Sequence, residues 1–431
     1  MPLEKNHQAT VAPPDGEEAT AVEARRGFLK TIVGAAAGGA ALLSARTVMG
    51  QQQGGHGGMP MPPAVPGTKP KGGMSMSAAP LPKGAPPEGS PLYKRFALEL
   101  KVIQHEIVPG IVTHMLGYDG SVPGPTFRVQ EGDWVWVDFT NLNDEMHTIH
   151  WHGLILNYRM DGVPYLTQDP VMRGESYRYV FRAEPYGTHF YHCHFGTSMH
   201  MQAGMYGAFI IERLDDPVHA KYPYTQDYTL ILSSIDTVFV RQQLNAMFAR
   251  MRQRDALASR GALDAWTQAV FIPGLYSGKD MLRRAIAEGY TPPYMAARAA
   301  AEPPRPNFFT INGKAYPATE PIRVREGEWT RLRFINAGNV AFSMHLHGHD
   351  FYWVCSDGAP LPAPVRLNTI RIDPGSTQDV VFLADNPGLW ALHDHDVTHT
   401  TNNGVYPGGA MTHVEYEGFK GSYTPSVSLD E

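Results

Sequence analysis

Histidine and cysteine residues in this chain are concentrated in four short clusters, which form two matched pairs. The first pair is His147-Thr-Ile-His150-Trp-His152 and His192-Cys193-His194, followed by His200 and Met205, and the second is His345-Leu-His347 and His393-Asp394-His395. Imidazole and thiolate ligands at such density suit copper. The duplicated pairs predict a shared cluster of metal ions rather than two separate sites.

The spacing within the clusters predicts which side chains act together. Side chains alternate between the two faces of a β-strand, so both histidines of an H-x-H motif point to the same side. In His192-Cys193-His194 the cysteine therefore faces away from the histidines, and His147 likewise differs in parity from His150. We expect one pair of strands to supply two metal sites that lie back to back.

The odd-numbered His147 and Cys193, together with the downstream His200 and Met205, offer a mixed nitrogen and sulfur ligand set. His147, Cys193, His200 and Met205 form the ligand set of a type 1 copper, in which two imidazoles and a thiolate bind the metal and a methionine is a weak axial ligand. The other set consists of imidazoles alone and is large enough for three copper ions. Its members are His150, His152, His192, His194, His345, His347, His393 and His395.

These motifs resemble those of two-domain multicopper oxidases of the laccase-like group. The matching stretches, within residues 93–420, are Val122-Pro-Gly-Pro125, His150-Trp-His152-Gly153, Gly187-Thr-His-Phe-Tyr-His192-Cys193-His194, His345-Leu-His347-Gly348 and Pro387-Gly-Leu-Trp-Ala-Leu-His393. The resemblance implies an all-β fold of two cupredoxin-like Greek-key sandwiches. It also implies four copper ions per chain, namely one type 1, one type 2 and a type 3 pair.

The resemblance also assigns roles to single residues. His150 and His345 would bind the type 2 copper, and the other six cluster histidines would bind the type 3 pair. His200 would be where electrons enter, because the family exposes the corresponding imidazole. Asp161 matches a family acid that supplies protons, although a turn residue beside glycine is the alternative interpretation. The resemblance further implies a homotrimer with its clusters between subunits.

The chain departs from the family pattern at three places. Asp394 stands where a second type 1 cysteine would be, and Phe342 replaces the counterpart of His147, so only the first domain is expected to hold a type 1 copper. The spacing from Cys193 to His200 is two residues longer than usual. His189 is a poorer candidate ligand because it precedes the motif, and Met199 and Met201 are rivals to Met205.

Composition narrows the class of protein further. With 431 residues the chain can form two or three domains, and its net charge of −6 gives no basic surface for nucleic acid. Of its two cysteines, Cys355 lies in an apolar run and is interpreted as a buried small side chain. A Cys193–Cys355 disulfide is possible in an oxidising compartment, but the histidines beside Cys193 argue against it.

The chain divides into five regions. Residues 1–50 contain Arg25-Arg26 before an apolar stretch too short to span a membrane, which predicts a twin-arginine signal peptide and a periplasmic or secreted protein without stable membrane insertion. Residues 51–92 read as a disordered Gly/Pro/Met-rich linker. Cupredoxin domains are expected at 93–214 and 215–421, with a helical insertion at about 238–302 that includes Val240–Arg254 and Lys279–Glu288, and residues 422–431 form a tail.

The expected activity is that of a multicopper oxidase. A small reducing substrate would lose single electrons at the type 1 copper, and dioxygen would be reduced to water at the three-copper cluster. The donor could be a phenol or a low-valent metal ion, Cu(I), Fe(II) or Mn(II). Two alternatives stay open, a copper nitrite reductase, which needs only three histidines at one type 2 copper, and a non-enzymatic copper store or electron carrier.

Overall fold

The computed structural model of the protein describes residues 76–143, 145–258 and 305–421. The proposed signal peptide, most of the proposed linker, the expected helix Lys279–Glu288 and the tail lie outside these residues. Within the described part of the chain, no helix is long and apolar enough to cross a membrane.

Strands form most of the described structure. The first half contains β1 (Met76–Ala78), β2 (Tyr93–Val108), β3 (Ile111–Tyr118), β4 (Phe127–Gln130), β5 (Trp134–Asn141), β6 (Ile149–His152), β7 (Ser176–Arg182), β8 (Gly187–Cys193) and β9 (Tyr206–Glu212). The second half contains β10 (Tyr224–Ile235), β11 (Phe308–Ile311), β12 (Ile322–Val324), β13 (Trp329–Asn336), β14 (Phe342–Leu346), β15 (Phe351–Ser356), β16 (Ala359–Leu367), β17 (Thr369–Ile372), β18 (Thr377–Leu383), β19 (Leu389–Asp394) and β20 (Met411–Tyr416).

Helices are short, with one exception. They are α1 (Thr197–His200), α2 (Pro217–Lys221), α3 (Thr237–Ala258) and two 3₁₀ turns, Tyr158–Met160 and Val397–Thr400.

Each half folds as a sandwich of two sheets. The first pairs a sheet of order β1-β7-β5-β2-β3 with one of order β4-β9-β8-β6, and the second pairs β11-β10-β13-β18-β15-β16 with β12-β20-β19-β14-β17. Alternation sets the buried face, as in β4, where Phe127 and Val129 are buried while Arg128 and Gln130 are exposed. The expected all-β fold with two cupredoxin-like sandwiches is confirmed.

The start of regular structure differs from the expectation. β1 pairs in parallel with β7, with Met76 opposite Ser176, so the prediction of a disordered linker is wrong for residues 76–92. A three-residue strand gives almost no periodic signal in a segment rich in Gly and Pro. Its position depends on pairing with a strand about a hundred residues later in the chain, which composition does not reveal.

Helix α3 includes the helical segment predicted at Val240–Arg254. It follows β10 of the second domain in the chain, but it packs on the first domain. Val240, Leu244 and Met247 follow the i, i+4, i+7 spacing of one helix face and are fully buried. They share the apolar core of the first domain, and the Phe248 ring meets His114 edge-on at 5.6 Å. The core of the first domain therefore includes residues that follow it in sequence.

A buried network of ion pairs joins the two domains. The Arg331 guanidinium donates to Asp216 at 2.9 Å and to Asp379 at 2.6 Å, while Arg333 donates to Asp227 and to the Thr188 hydroxyl. Thr188 lies near the start of β8, the strand that ends in Cys193. The network therefore anchors that strand to the second domain.

Removal of one member of this network should be costly. Arg331→Met leaves Asp379 buried without its main cation, and loss of one partner of a buried ion pair costs about 3–5 kcal/mol of unfolding free energy. Chemical denaturation of the apo-protein measures the loss. Arg371→Met is the matched control, because Arg371 pairs with Asp373 at the exposed surface and should contribute little. Equal, small changes in the two variants would contradict the role assigned to Arg331.

Candidate metal centres

The pairing of β6 with β8 arranges the first set of ligands. The two strands are antiparallel, with His150 opposite His192 and Ile149 opposite Cys193. Since side chains alternate, Cys193 points into the apolar core with Ile149, and His150 and His192 lie on the other face of the sheet. The predicted back-to-back arrangement is therefore what the backbone register produces.

On the core side, the residues proposed for the type 1 copper come together. The Cys193 Sγ lies 3.5 Å from His147 Nδ1 and 3.3 Å from His200 Nδ1, and the three ligand atoms all lie within 4.8 Å of one another. All three residues are buried. Two imidazole nitrogens and a sulfur around one point form a donor set that fits copper.

The two additional residues between Cys193 and His200 are accommodated by helix α1, which is a single turn that ends at His200. Met205 follows in the loop between α1 and β9. Its backbone N–H donates to the His200 carbonyl at 3.0 Å, and its carbonyl accepts from the Cys193 N–H at 3.2 Å. Met205 is fully buried beside both ligands. Met199 and Met201 are also buried in the core of the first domain.

Glu145 is a member of this site that sequence reasoning missed. Its carboxylate lies 2.9 Å from His200 Nε2, and it is partly exposed, while the His200 side chain is not. The imidazole expected at the surface is thus covered by a carboxylate. Burial alone would lower the pKa of His200, but the Cys193 thiolate and Glu145 raise it to about 10. The only signal in the sequence is an acidic residue two positions before His147.

Four histidines of the first domain lie on the opposite face of the sheet. The ligand atoms of His150, His152 and His192 are within 4.8 Å of one another, and the ring of His194 is 5.4 Å from that of His150. Burial and the neighbouring imidazoles lower the pKa of His152 to about 4. The pKa of His192 is lowered to about 3, mainly by burial. Both histidines are therefore neutral at pH 7, the form that binds a metal ion.

Backbone carbonyls orient these rings. His150 Nδ1 lies 2.8 Å from the Asp161 carbonyl oxygen and 3.4 Å from its carboxylate, and His192 Nδ1 lies 3.0 Å from the Cys193 carbonyl. A donor N–H at Nδ1 leaves Nε2 as the metal-binding nitrogen. Asp161 thus lies directly behind a proposed ligand. His189 forms a hydrogen bond with the Pro185 carbonyl and belongs to neither of the two ligand sets of the first domain.

The second domain repeats the arrangement with β14 and β19. His345 lies opposite His393 in the register, and the Nε2 atoms of His347 and His393 are 3.0 Å apart. The ring of His395 is 5.5 Å from that of His345. His345 Nδ1 lies 2.8 Å from the Asn368 carbonyl, so its Nε2 is the nitrogen left for a metal.

On the core side of β19, hydrogen bonds occupy the position of a second type 1 site. The Asp394 carboxylate accepts from the Ser343 N–H at 2.8 Å and lies 2.6 Å from His399 Nδ1. The Phe309 ring stacks on His399 at 4.0 Å, and Phe342 is fully buried beside it. This arrangement of carboxylate, imidazole and aromatic rings has no sulfur ligand.

In the described residues, no set of three close ligand atoms combines the first quartet, His150, His152, His192 and His194, with the second quartet, His345, His347, His393 and His395. In the described part of the chain, the sets of three or more ligand atoms that lie within 4.8 Å of one another are the two described above for the first domain. Neither set includes a histidine of the second domain. His152 instead faces Gly375, whose added Cβ would lie 3.5 Å from its ring.

Comparison with known proteins identifies the class that this fold and these sites define. Family models described as multicopper oxidase match residues 100–216 and 290–406. A blue copper oxidase from Nitrosomonas europaea is 33% identical with a TM-score of 0.60, over 75% of this chain and 86% of that one. The multicopper oxidase mgLAC is 31% identical with a TM-score of 0.60, over 77% of this chain and 88% of that one. The chain belongs to the multicopper oxidases, and copper is its metal.

More distant proteins are also similar to this chain. Copper resistance protein A of Escherichia coli is 28% identical over 282 residues, which are 61% of this chain and 42% of that protein. The chain thus spans less than half the length of this relative. A copper nitrite reductase from Nitrosomonas europaea shares the fold at 20% identity, with a TM-score of 0.52.

Gly162 provides a test of how the Asp161 loop supports His150. Its φ is +75°, and an added Cβ would lie 1.8 Å from the Ile149 carbonyl oxygen, so Gly162→Ala must displace the loop from β6. We expect a loss of copper bound per chain, measured by metal analysis after reconstitution. Gly174→Ala is the control, because it has a similar φ of +77° with no atom within 4 Å and carries only the backbone strain. Equal copper contents in the two variants would contradict this role of the loop.

Proposed function

We propose that the protein is a laccase-like multicopper oxidase, which couples one-electron oxidation of a reducing substrate to four-electron reduction of dioxygen to water. The observation that carries this proposal is the position of Cys193. Its sulfur lies between His147 and His200 on one side of β8, while the adjacent His192 belongs to the quartet on the other side. One peptide unit therefore joins the two proposed copper centres.

The donor sets match the metal centres that the proposal requires. A type 1 copper would be held by His147, Cys193, His200 and Met205, and it would supply one-electron chemistry when bound. His150 and His345 would hold the type 2 copper. The type 3 pair would be held by His152, His192, His194, His347, His393 and His395.

Two carboxylates are given roles beside these centres. Glu145 is proposed to meet the electron donor at the type 1 site, and Asp161 is proposed to supply protons to the three-copper cluster. Glu145 covers His200, so a donor would approach the carboxylate rather than a bare imidazole edge. Asp161 lies 3.4 Å from His150 and is a third exposed, which supports its proposed role in passing protons from solvent to the quartet.

The general test compares donors and acceptors in one preparation of copper-loaded protein. Oxygen uptake is measured with a phenol, Cu(I), Fe(II) and Mn(II), and nitrite reduction is measured in parallel. The proposal requires donor-dependent oxygen uptake. Nitrite reduction without oxygen uptake would support a nitrite reductase instead, and the absence of both would support a copper store or carrier.

Cys193 should determine the colour of the protein. Cys193→Ser removes the thiolate that gives a type 1 copper its intense blue absorption, so colour and oxidase activity should both disappear while copper at the histidine cluster is retained. Absorption spectra and metal analysis measure the two effects. Asp394→Ala is the matched control in the second domain and should stay blue. A blue Cys193→Ser protein would refute the type 1 assignment.

Glu145 should influence which donors react. Glu145→Gln keeps a hydrogen-bonding side chain but removes the negative charge, so the KM for Cu(I) or Fe(II) should rise more than the KM for a neutral phenol. Steady-state kinetics with both donor classes measure the difference, and Glu415→Gln, an exposed carboxylate on β20, serves as the control. An equal change for both classes would show that Glu145 does not attract cations.

We also propose that the three-copper clusters lie between subunits of a homotrimer. Within the described residues no close ligand set combines the two quartets, and apolar side chains next to them in sequence are exposed, namely Ile155 in the first domain and Val397 in the second. Contact of the first domain of one subunit with the second domain of the next is head-to-tail, and such a contact closes into a ring when the rotation fits. Twin-arginine export to the periplasm or beyond is also proposed, because Arg25-Arg26 precedes a short apolar stretch.

Complementation between inactive chains tests the shared cluster. One chain carries His150→Ala and His152→Ala, and the other carries His393→Ala and His395→Ala. Co-assembled trimers should regain part of the activity, because some interfaces receive an intact quartet from each chain. Light scattering checks the mass of the assembly, and each variant assembled alone is the control. Full activity in a monomer would refute the interface location.

A further inference from the structure

Two short segments of the second domain form a neck at the base of helix α3. The neck consists of residues 235–237, where the chain leaves β10, and residues 305–307, where it returns to β11. The Asp236 carboxylate accepts from the Val238 and Phe239 N–H groups at the start of α3 and from the Arg305 N–H at 2.8 Å. The Asn307 side chain accepts from the Thr237 N–H at 2.9 Å. The two segments are thus held side by side.

Gln202 connects this neck to the first domain. Its side chain is 1% exposed and uses both ends, because Oε1 accepts from the Asp236 N–H at 3.0 Å and Nε2 donates to the Ser198 carbonyl at 2.8 Å. Ser198 belongs to α1, the turn that carries His200. Gln202 lies between His200 and Met205 in the sequence. Its two hydrogen bonds therefore connect α1 to the second domain.

Contacts with β3 and α3 also hold the segment that contains Gln202. The Leu116 N–H on β3 donates to the Ala203 carbonyl at 2.7 Å, and β3 is the strand against which α3 packs. Met199 and Met201 share an apolar core with Leu244 and Met247 of α3. The loop of residues 196–205, here called the ligand loop, is therefore held by β3, α3 and the neck together.

The ligand loop needs such support because it is long. Two further residues between Cys193 and His200 add conformations that must be restricted when the loop closes. A type 1 site combines a trigonal set of two imidazoles and a thiolate with a weak methionine ligand, so the loop must hold both His200 and Met205 close to the Cys193 sulfur.

We propose that Gln202 is a positioning residue for the type 1 site, which fastens the ligand loop to the neck so that the insertion of the second domain helps to set the geometry at His200 and Met205. This inference rests on the proposed function, since it requires a type 1 copper at Cys193. It assigns to the helical insertion an influence on the copper centre of the other domain.

The test measures the copper centre directly. Gln202→Met keeps the length of the side chain but removes both hydrogen bonds. We expect unchanged type 1 copper content, a weaker and shifted blue absorption, an electron paramagnetic resonance spectrum closer to tetragonal copper, and a lower reduction potential. Asp236→Asn, which replaces the acceptor of the Arg305 N–H with a group that can donate, should shift the same signals in the same direction, because it loosens the neck without changing any residue of the ligand loop.

Gln378→Met is the matched control. Gln378 is also buried, and its side chain accepts a hydrogen bond from Trp353 in the second domain. It should lower stability without any shift in the blue spectrum or potential. Unshifted spectra in Gln202→Met would overturn the proposal, and a shift in Gln202→Met but not in Asp236→Asn would overturn the role of the neck. If Gln202→Met does not fold, Asp236→Asn decides alone. A wild-type protein without blue absorption would instead refute the proposed function.

Discussion

The antiparallel pairing of β6 with β8 is the constraint on which both proposed copper centres depend. A strand that slips by one residue exchanges its two faces, which would send Cys193 to the quartet and His192 into the core. The core prevents this slip, because Ile149, Trp151, Tyr191 and Cys193 are all fully buried on the same face. Apolar packing thus fixes the register of the two strands. The register in turn determines which proposed copper centre each ligand faces.

The second domain shows that the residues on the two faces of such a strand pair can change independently. β14 and β19 keep the register that presents His345 and His393, but on the core side Asp394 accepts hydrogen bonds and contacts His399 in place of a sulfur–metal site. A buried carboxylate is costly without partners, and Asp394 has them from the Ser343 and Asp396 N–H groups as well as from His399. The ligand pairs on the outer face therefore do not need a metal on the inner face to hold their strands together.

Much of the candidate site could be predicted from the sequence, because its information is local. Alternation within strands separated the ligands of the two proposed centres, and helix-like spacing over Val240–Arg254 indicated α3. Features that depend on distant contacts could not be predicted. The covering of His200 by Glu145, the packing of α3 on the first domain and the bond from Gln202 to the neck each join segments whose proximity no spacing reveals. The same holds for β1, whose partner strand lies far along the chain.

The two quartets differ in how much of their surroundings one chain supplies. In the first domain His192 is buried, and His152 faces Gly375 of the second domain. In the second domain His347 and His395 are exposed, and so is Val397 two residues after His395. Imidazoles that share a metal cluster need a common enclosure that excludes water, because an apolar surrounding controls solvent access and the properties of bound water. One chain supplies part of this enclosure around the first quartet and little of it around the second. The asymmetry supports the proposal that the second quartet is the surface that docks on another subunit.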